Sequence, residues 1–463
     1  MLDGVDESNM EWLSPMNVAI LGDKVVRQGG CRSRLPRHPT RQPAADEQFD
    51  EPLSPNTRPS ADGETPMRRR SVKPAPRDDD TCSFPARLSF SSMRSRSGTT
   101  SSLRRERMQS SPRFDGRVFH NTAQVSTGLK PGVERPTMRE FLCPDEDRVP
   151  SAPLPLVNPL PLWDRRPTSG FRLTWLGHST LLVEIDGARV LTDPVWSNRA
   201  SPLPFAGPKR FHPPPAPLAA LPRLDAIILS HDHYDHLDRP TVLALAKAHA
   251  STPFITSLGV GERLERWGIP AKRITELDWW EQADVKGVAI TAAPAQHFSG
   301  RGIKDRNTTL WSSFHLRGPR HSFFFGADTG LTREYADIAR RLGPFDTVAL
   351  EIGAYHPSWG DIHMGPVNAV SAYAMLGSGA FLPIHWATFN LAIHPWSEPA
   401  ETLLRLGSSR GVPLIMPKLG APAEPAQSNG VDPWWRAVPS TAPKPLVESD
   451  APEIGVPIAE MPD

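Results

Sequence analysis

The stretch Ala226-Ile227-Ile228-Leu229-Ser230-His231-Asp232-His233-Tyr234-Asp235-His236-Leu237-Asp238 decides the fold. Four apolar residues lead straight into three imidazoles. In an extended chain, side chains two apart share a face, so His231 and His233 can offer ring nitrogens to one cation. Asp235 and His236 lie past them, where the chain must turn, and can face the same cavity from another direction to hold a second cation. Imidazole and carboxylate without thiolate suit zinc first, with iron or manganese as lesser choices. The stretch therefore reads as a metal site at the end of a buried strand.

One loop cannot saturate such a site, so further ligands should stand at the ends of other apolar runs. His297 follows the run 288–294, Asp328 follows 323–327 and His385 follows 381–384. Ligands delivered from strand ends are how open sheets build sites. Working outward, Leu173 and Trp175, then 181–185, an Asp186-Gly187 turn and Val190-Leu191 predict a hairpin. Apolar runs at 226–229, 288–292, 310–316, 322–326, 347–350, 380–384 and 412–416 alternate with helical stretches near 239–249, 259–267, 332–341, 366–376 and 398–406. Two mixed sheets flanked by helices would use them all, which places the chain in the α/β (α+β) class.

At this point the chain resembles the metallo-β-lactamase superfamily, and within it the branch of N-acyl-phosphatidylethanolamine-hydrolysing phospholipase D. The resemblance rests on Trp175-Leu176-Gly177-His178-Ser179-Thr180, Leu191-Thr192-Asp193-Pro194, Gly207-Pro208-Lys209-Arg210-Phe211 and the metal loop. It continues through Glu276-Leu277-Asp278-Trp279-Trp280-Glu281, Gln296-His297, Gly326-Ala327-Asp328-Thr329-Gly330, Ile352-Gly353-Ala354-Tyr355 and Ile384-His385-Trp386, and spans about residues 112–436. It implies a four-layer αββα sandwich with the metals at one edge between the sheets. It further implies that His231, His233 and His297 hold one zinc and Asp235, His236 and His385 the other, with Asp328 bridging. Asp235, Asp328 and His363 become the candidate catalytic residues, His363 as a proton donor to the leaving group. His178, Lys209 and Arg210 become candidate substrate contacts, the two cations suiting a phosphate. Asp232 stands where the animal enzyme of this branch has Asn, which adds charge beside the ligands and bears on substrate choice.

The 463 residues include 52 prolines and are 38% hydrophobic, so much of the chain is not core. Residues 1–110 read as a disordered Ser-, Pro- and Arg-rich arm, with Met108 as an alternative start downstream of most of it. An extended lead over 111–168, a catalytic domain over 169–436 and a flexible tail over 437–463 complete the expected organisation. A net charge of +1 gives no global field to recruit nucleic acid, and no nucleic-acid partner is expected. No run approaches the roughly 20 apolar residues of a membrane-spanning helix. The acidic amino terminus is no secretory signal. Cys31, Cys82 and Cys143 offer no disulfide framework, so a reducing, cytoplasmic setting is expected. The function these readings converge on is a binuclear zinc hydrolase, a phosphodiesterase acting on a phospholipid, with a lactone, amide or thioester hydrolase and a non-catalytic module as alternatives. A peripheral membrane contact and a homodimer are its candidate associations.

Overall fold

The computed structural model describes residues 100–126, 128–130, 132–134, 136–137 and 147–439. Most of the expected arm and most of the expected tail lie outside them. Strands β1 (Phe171–Gly177), β2 (Thr180–Ile185) and β3 (Ala188–Thr192) form an antiparallel meander, and β4 (Ala226–Leu229), β5 (Phe254–Ser257) and β6 (Ile274–Leu277) continue it in parallel. In the second sheet, β7 (Gln282–Val285), β8 (Val288–Ala293), β9 (Ser313–Arg317) and β10 (Ser322–Phe325) run antiparallel, and β11 (Thr347–Glu351) and β12 (Ala380–Ile384) add in parallel. The short β13 (Pro422–Ala423) closes the free edge beside β1.

Strand parity sorts the side chains between layers. Phe171, Leu173, Trp175, Leu181, Val183 and Ile185 enter the core that also holds Ile290, Ala292, Phe314 and Leu316 of the facing sheet. Leu176, Leu182, Leu191, Ile227 and Leu229 point the other way, into a second core beneath helices Arg239–Ala248 and Val260–Arg266. Helices Glu334–Leu342, Gly365–Leu376 and Glu398–Arg410 cover the outer face of the second sheet through Ile338, Ala369 and Leu403. Both sheets are thus buried on both faces, as the near-continuous apolar runs require, and the layers read αββα.

Three sequence expectations change. The run 412–416 is no strand but a single parallel bridge, Phe381 with Leu414, because Pro413 accepts from Phe381 N–H yet has no N–H of its own to extend the ladder. The proline-rich stretch expected to be extended contains one helical turn, Leu160–Trp163, entered through prolines that need no amide donor there. Residues Thr100–Ser110, expected to belong to the arm, form a helix, and the folded part reaches back to them. That helix is held by charge rather than by an apolar stripe: buried Arg104 pairs with Glu265 and Glu276, and Arg107 with Glu281. Among the described residues no helix is long and apolar enough to cross a membrane.

Candidate metal centre

Strands β3 and β4 run parallel, and β8, β10, β11 and β12 share one direction in their own sheet, so six carboxyl ends can face one edge. Asp193, His231 and its neighbours, His297, Asp328, Glu351 and His385 stand at or just beyond those ends. The backbone there is strained in a way only a tightly determined site tolerates. His178, Asp193, Ala327, Ala354, His385 and Ala387 all take positive φ, between 34° and 64°, each at a cost on the order of 1–3 kcal/mol. Gly353 leaves no choice of residue, because a Cβ on it would stand 2.2 Å from the His385 carbonyl oxygen.

Two triads of donors result. His231 Nε2 lies 2.9 Å from His233 Nδ1, which lies 3.2 Å from His297 Nε2. Asp235 Oδ2 lies 3.5 Å from His236 Nε2 and 3.4 Å from His385 Nε2. Asp328 Oδ2 sits between them, 3.0 and 3.1 Å from His236 and His385, and 4.0 and 3.8 Å from His231 and His297. Tetrahedral zinc with bonds of about 2.0–2.1 Å separates its donor atoms by about 3.3 Å, close to these spacings.

The donor chemistry also fits a cation. His297 Nδ1 donates to Ile362 O and His236 Nδ1 to Asp193 Oδ2, so each ring turns its Nε2 inward. His236 Nε2, His385 Nε2 and Asp328 Oδ1 are buried without any hydrogen-bond partner, although His236 and His385 approach Asp328 closely. Polar atoms left without hydrogen-bond partners in a dry site are costly, and a bound cation would satisfy the nitrogens and the carboxylate together.

Burial drives His231 and His297 well below the usual imidazole range and His233 down to about 4. Burial opposes charge on His236 and His385 as well, but Asp328 and Asp235 outweigh it. They raise His236 well above its ordinary value and His385 to about 10. In return, and against burial, these two rings hold Asp328 well below the usual carboxylate range.

Around the triads, the other predicted residues sort themselves. His363 lines the cleft with His233, Asp235, Asp328 and His385, and its Nδ1 donates to Glu351 Oε2 at 2.6 Å. His178 is no open substrate contact: it is buried, its Nε2 lies 2.9 Å from Asp235 Oδ2, and burial lowers its pKa to about 3. Arg210 is equally removed from substrate. It donates to Val195 O and His212 O and stacks over Phe389, and burial lowers it to about 10. Lys209 is exposed, and neither it nor Arg210 lines the metal cleft. Asp232 turns away from the ligands toward Arg263 and the Gly300 amide, so its charge is neutralised there.

Sequence reasoning passed over three supports. Glu351 accepts from the Thr329 amide and from His363, and its Oε2 lies 3.8 Å from His385 Nδ1. Asp193 holds His236 and, through Ser230, the start of the metal loop. Arg301 donates to the carbonyls of Asp232 and Leu237 and stacks on Tyr234, gripping the loop from outside. The cleft wall is apolar: Phe298, Trp359, Ile362 and Leu391.

A model of the β-lactamase superfamily domain matches residues 188–386. An uncharacterised protein of Mycobacterium tuberculosis is 49% identical over 290 residues, 62% of this chain and 77% of the relative. The mitochondrial N-acyl-phosphatidylethanolamine-hydrolyzing phospholipase D of Saccharomyces cerevisiae is 34% identical over 51% of this chain and 52% of its own length. N-acyl-phosphatidylethanolamine-hydrolyzing phospholipase D 1 of Caenorhabditis elegans is 36% identical over 331 residues, 67% of this chain and 92% of the nematode enzyme. With the sandwich, the strand-end ligands and these relatives together, the chain belongs to the metallo-β-lactamase superfamily of metal-dependent hydrolases, in the branch of the N-acyl-phosphatidylethanolamine-hydrolysing phospholipases D.

Proposed function

We propose that the chain is a binuclear zinc phosphodiesterase of phospholipase D type, acting on N-acyl-phosphatidylethanolamine or a related phospholipid. The observation that carries this reading is the position of Asp328 Oδ2, within 3.0–4.0 Å of nitrogens from both triads. His231, His233 and His297 would hold one zinc, Asp235, His236 and His385 the other, and Asp328 both. Two cations so held would supply Lewis acidity at a phosphoryl oxygen and acidify a water toward neutral pH.

The chain's own residues account for the rest. Hydrolysis joins a water oxygen to phosphorus and breaks the bond from phosphorus to the head-group oxygen, which must gain a proton. His363 would give it: its Nδ1 donates to Glu351, and its ring lies beside His297 and His385 at the cleft. Phe298, Trp359 and Leu391 exclude water and offer an acyl chain an apolar wall. Leu203, Phe205 and Ile303 are exposed and support contact with a lipid surface.

The test is a panel of N-acyl-phosphatidylethanolamine vesicles, lactones, thioesters and a β-lactam offered to zinc-loaded protein. Release of phosphatidic acid is the expected result. Turnover of lactone or thioester with intact phosphodiesters would overturn the substrate assignment.

A further inference from the structure

His297 lies beyond the last paired residue of β8, Ala293, where no neighbouring strand takes its backbone polar groups. One side chain takes both. Asn121 Nδ2 donates to His297 O at 2.8 Å, and Asn121 Oδ1 accepts from His297 N–H at 3.0 Å. The same oxygen accepts from Trp311 Nε1 at 3.1 Å. This two-point grip is what an adjacent strand would provide, supplied by a residue 176 positions earlier. With Nδ1–H donating to Ile362 O, the ring of His297 is fixed from three sides.

The third side is governed by the same part of the chain. Ile362 belongs to the segment that carries Trp359 and His363, and residues just after Asn121 hold that segment. Lys130 N–H donates to Ser358 O at 2.8 Å, Gly360 N–H donates to Gly128 O at 2.7 Å, and Lys130 Nζ pairs with Asp361. A Cβ on Gly360 would stand 1.7 Å from Ser126 O, so the two segments pack as closely as backbone allows. The grip is itself anchored, because Phe119 is fully buried with Leu310 and Trp311 and its N–H donates to Asn307 O.

We propose that Asn121 is a positioning residue of the metal centre, the point at which an amino-terminal strap fixes His297 and, through Gly128 and Lys130, the segment bearing His363. The inference rests on His297 being a ligand. A ligand ring held less firmly binds its cation less tightly, and outer supports of this kind change metal affinity by roughly 10–100-fold.

The experiment uses the full chain as Asn121→Ala, with zinc affinity measured by chelator competition and the thermal midpoint measured before and after zinc is stripped. One zinc should bind about 10–100-fold more weakly while the stripped midpoint stays close to wild type. Its cobalt-substituted form should show an altered visible spectrum. Wild-type zinc affinity in the folded variant would overturn the proposal, as would a fall in the stripped midpoint with affinity unchanged. If Asn121→Ala does not fold, Asn121→Asp keeps both acceptor contacts but sets a carboxylate oxygen against His297 O in place of the donating amide; it should weaken zinc in the same direction, and wild-type affinity there is equally fatal. His297→Ala separates the two readings: unchanged zinc affinity in that variant removes His297 from the ligand set, whatever the strap does.

Discussion

The two triads meet at one carboxylate yet are built on opposite electrostatic plans. His231, His233 and His297 form a set of neutral rings, kept neutral by burial and steadied by neutral groups, the Ser230 hydroxyl and the Ile362 carbonyl. Asp235, His236 and His385 form a charged set, where Asp193, Glu351 and Asp328 surround the imidazoles and raise their proton affinity. A cation entering the first set meets ready lone pairs. One entering the second must displace protons, and is then balanced by carboxylate charge. A cation held by the first set would therefore keep more of its positive charge for polarising substrate, and one held by the second would be tuned by its outer partners.

Asp328 is the residue whose loss should erase the distinction. Asp328→Asn keeps the volume but loses the charge and one oxygen donor, and with them the link between the triads. Turnover should fall by at least about 10²-fold, the scale of removing a positioned catalytic group, with every hydrolytic activity falling together. Near-native turnover with two zinc ions still bound per chain would remove Asp328 from the bridging position.

Asp193→Asn should sharpen the comparison. An amide oxygen turned toward Ser230 would leave an NH2 against His236 Nδ1–H, so the ring must move its proton to Nε2 or lose the contact. Either change spoils His236 as a donor. In a stepwise zinc titration the second ion should bind roughly 10–100-fold more weakly, with the first little altered. Equal weakening of both would mean that the triads are not independently supported.

The residues gathered at this edge were legible because imidazoles and carboxylates at the ends of apolar runs are rare and obvious. Glu351 carries the same signal, ending Thr347-Val348-Ala349-Leu350, and was missed only because no histidine marked it. Asp193 stood inside a recognised motif, but its partner His236 lies 43 positions on, and only the parallel pairing of β3 with β4 brings them together. Arg210 shows the converse error. Its charge suggested phosphate recognition, whereas pattern cannot reveal that the side chain is buried beneath Phe389 with Nε and Nη1 donating to backbone carbonyls. The helix Thr100–Ser110 escaped notice because its contacts are ionic and no apolar period announces them. Strands β5 and β6 span four residues each, too short for alternation to register.

The premise that burial keeps an imidazole neutral can be tested away from the metal centre, at His315. This residue lies in β9, 3% exposed, with Nε2 against Ser322 Oγ at 2.9 Å and its ring edge-on to Phe345. Burial, and then the charge of Arg317, lowers its pKa to about 3. An unfolded histidine titrates near 6.5, so below that pH the unfolded chain takes up a proton that the folded chain refuses until about pH 3. The stabilisation from keeping His315 neutral is thus complete above about pH 6.5 and declines by about 1.4 kcal/mol per pH unit as acid is added through that window. His315→Gln should lower stability by a constant packing cost at pH 7.5, measured by urea unfolding. Between pH 6 and 5 it should lose less stability per pH unit than wild type, by up to one proton's worth of slope. Parallel pH profiles for the two proteins would mean that His315 charges in the folded state, and the neutrality argued for His231 and His297 on the same ground would fall with it.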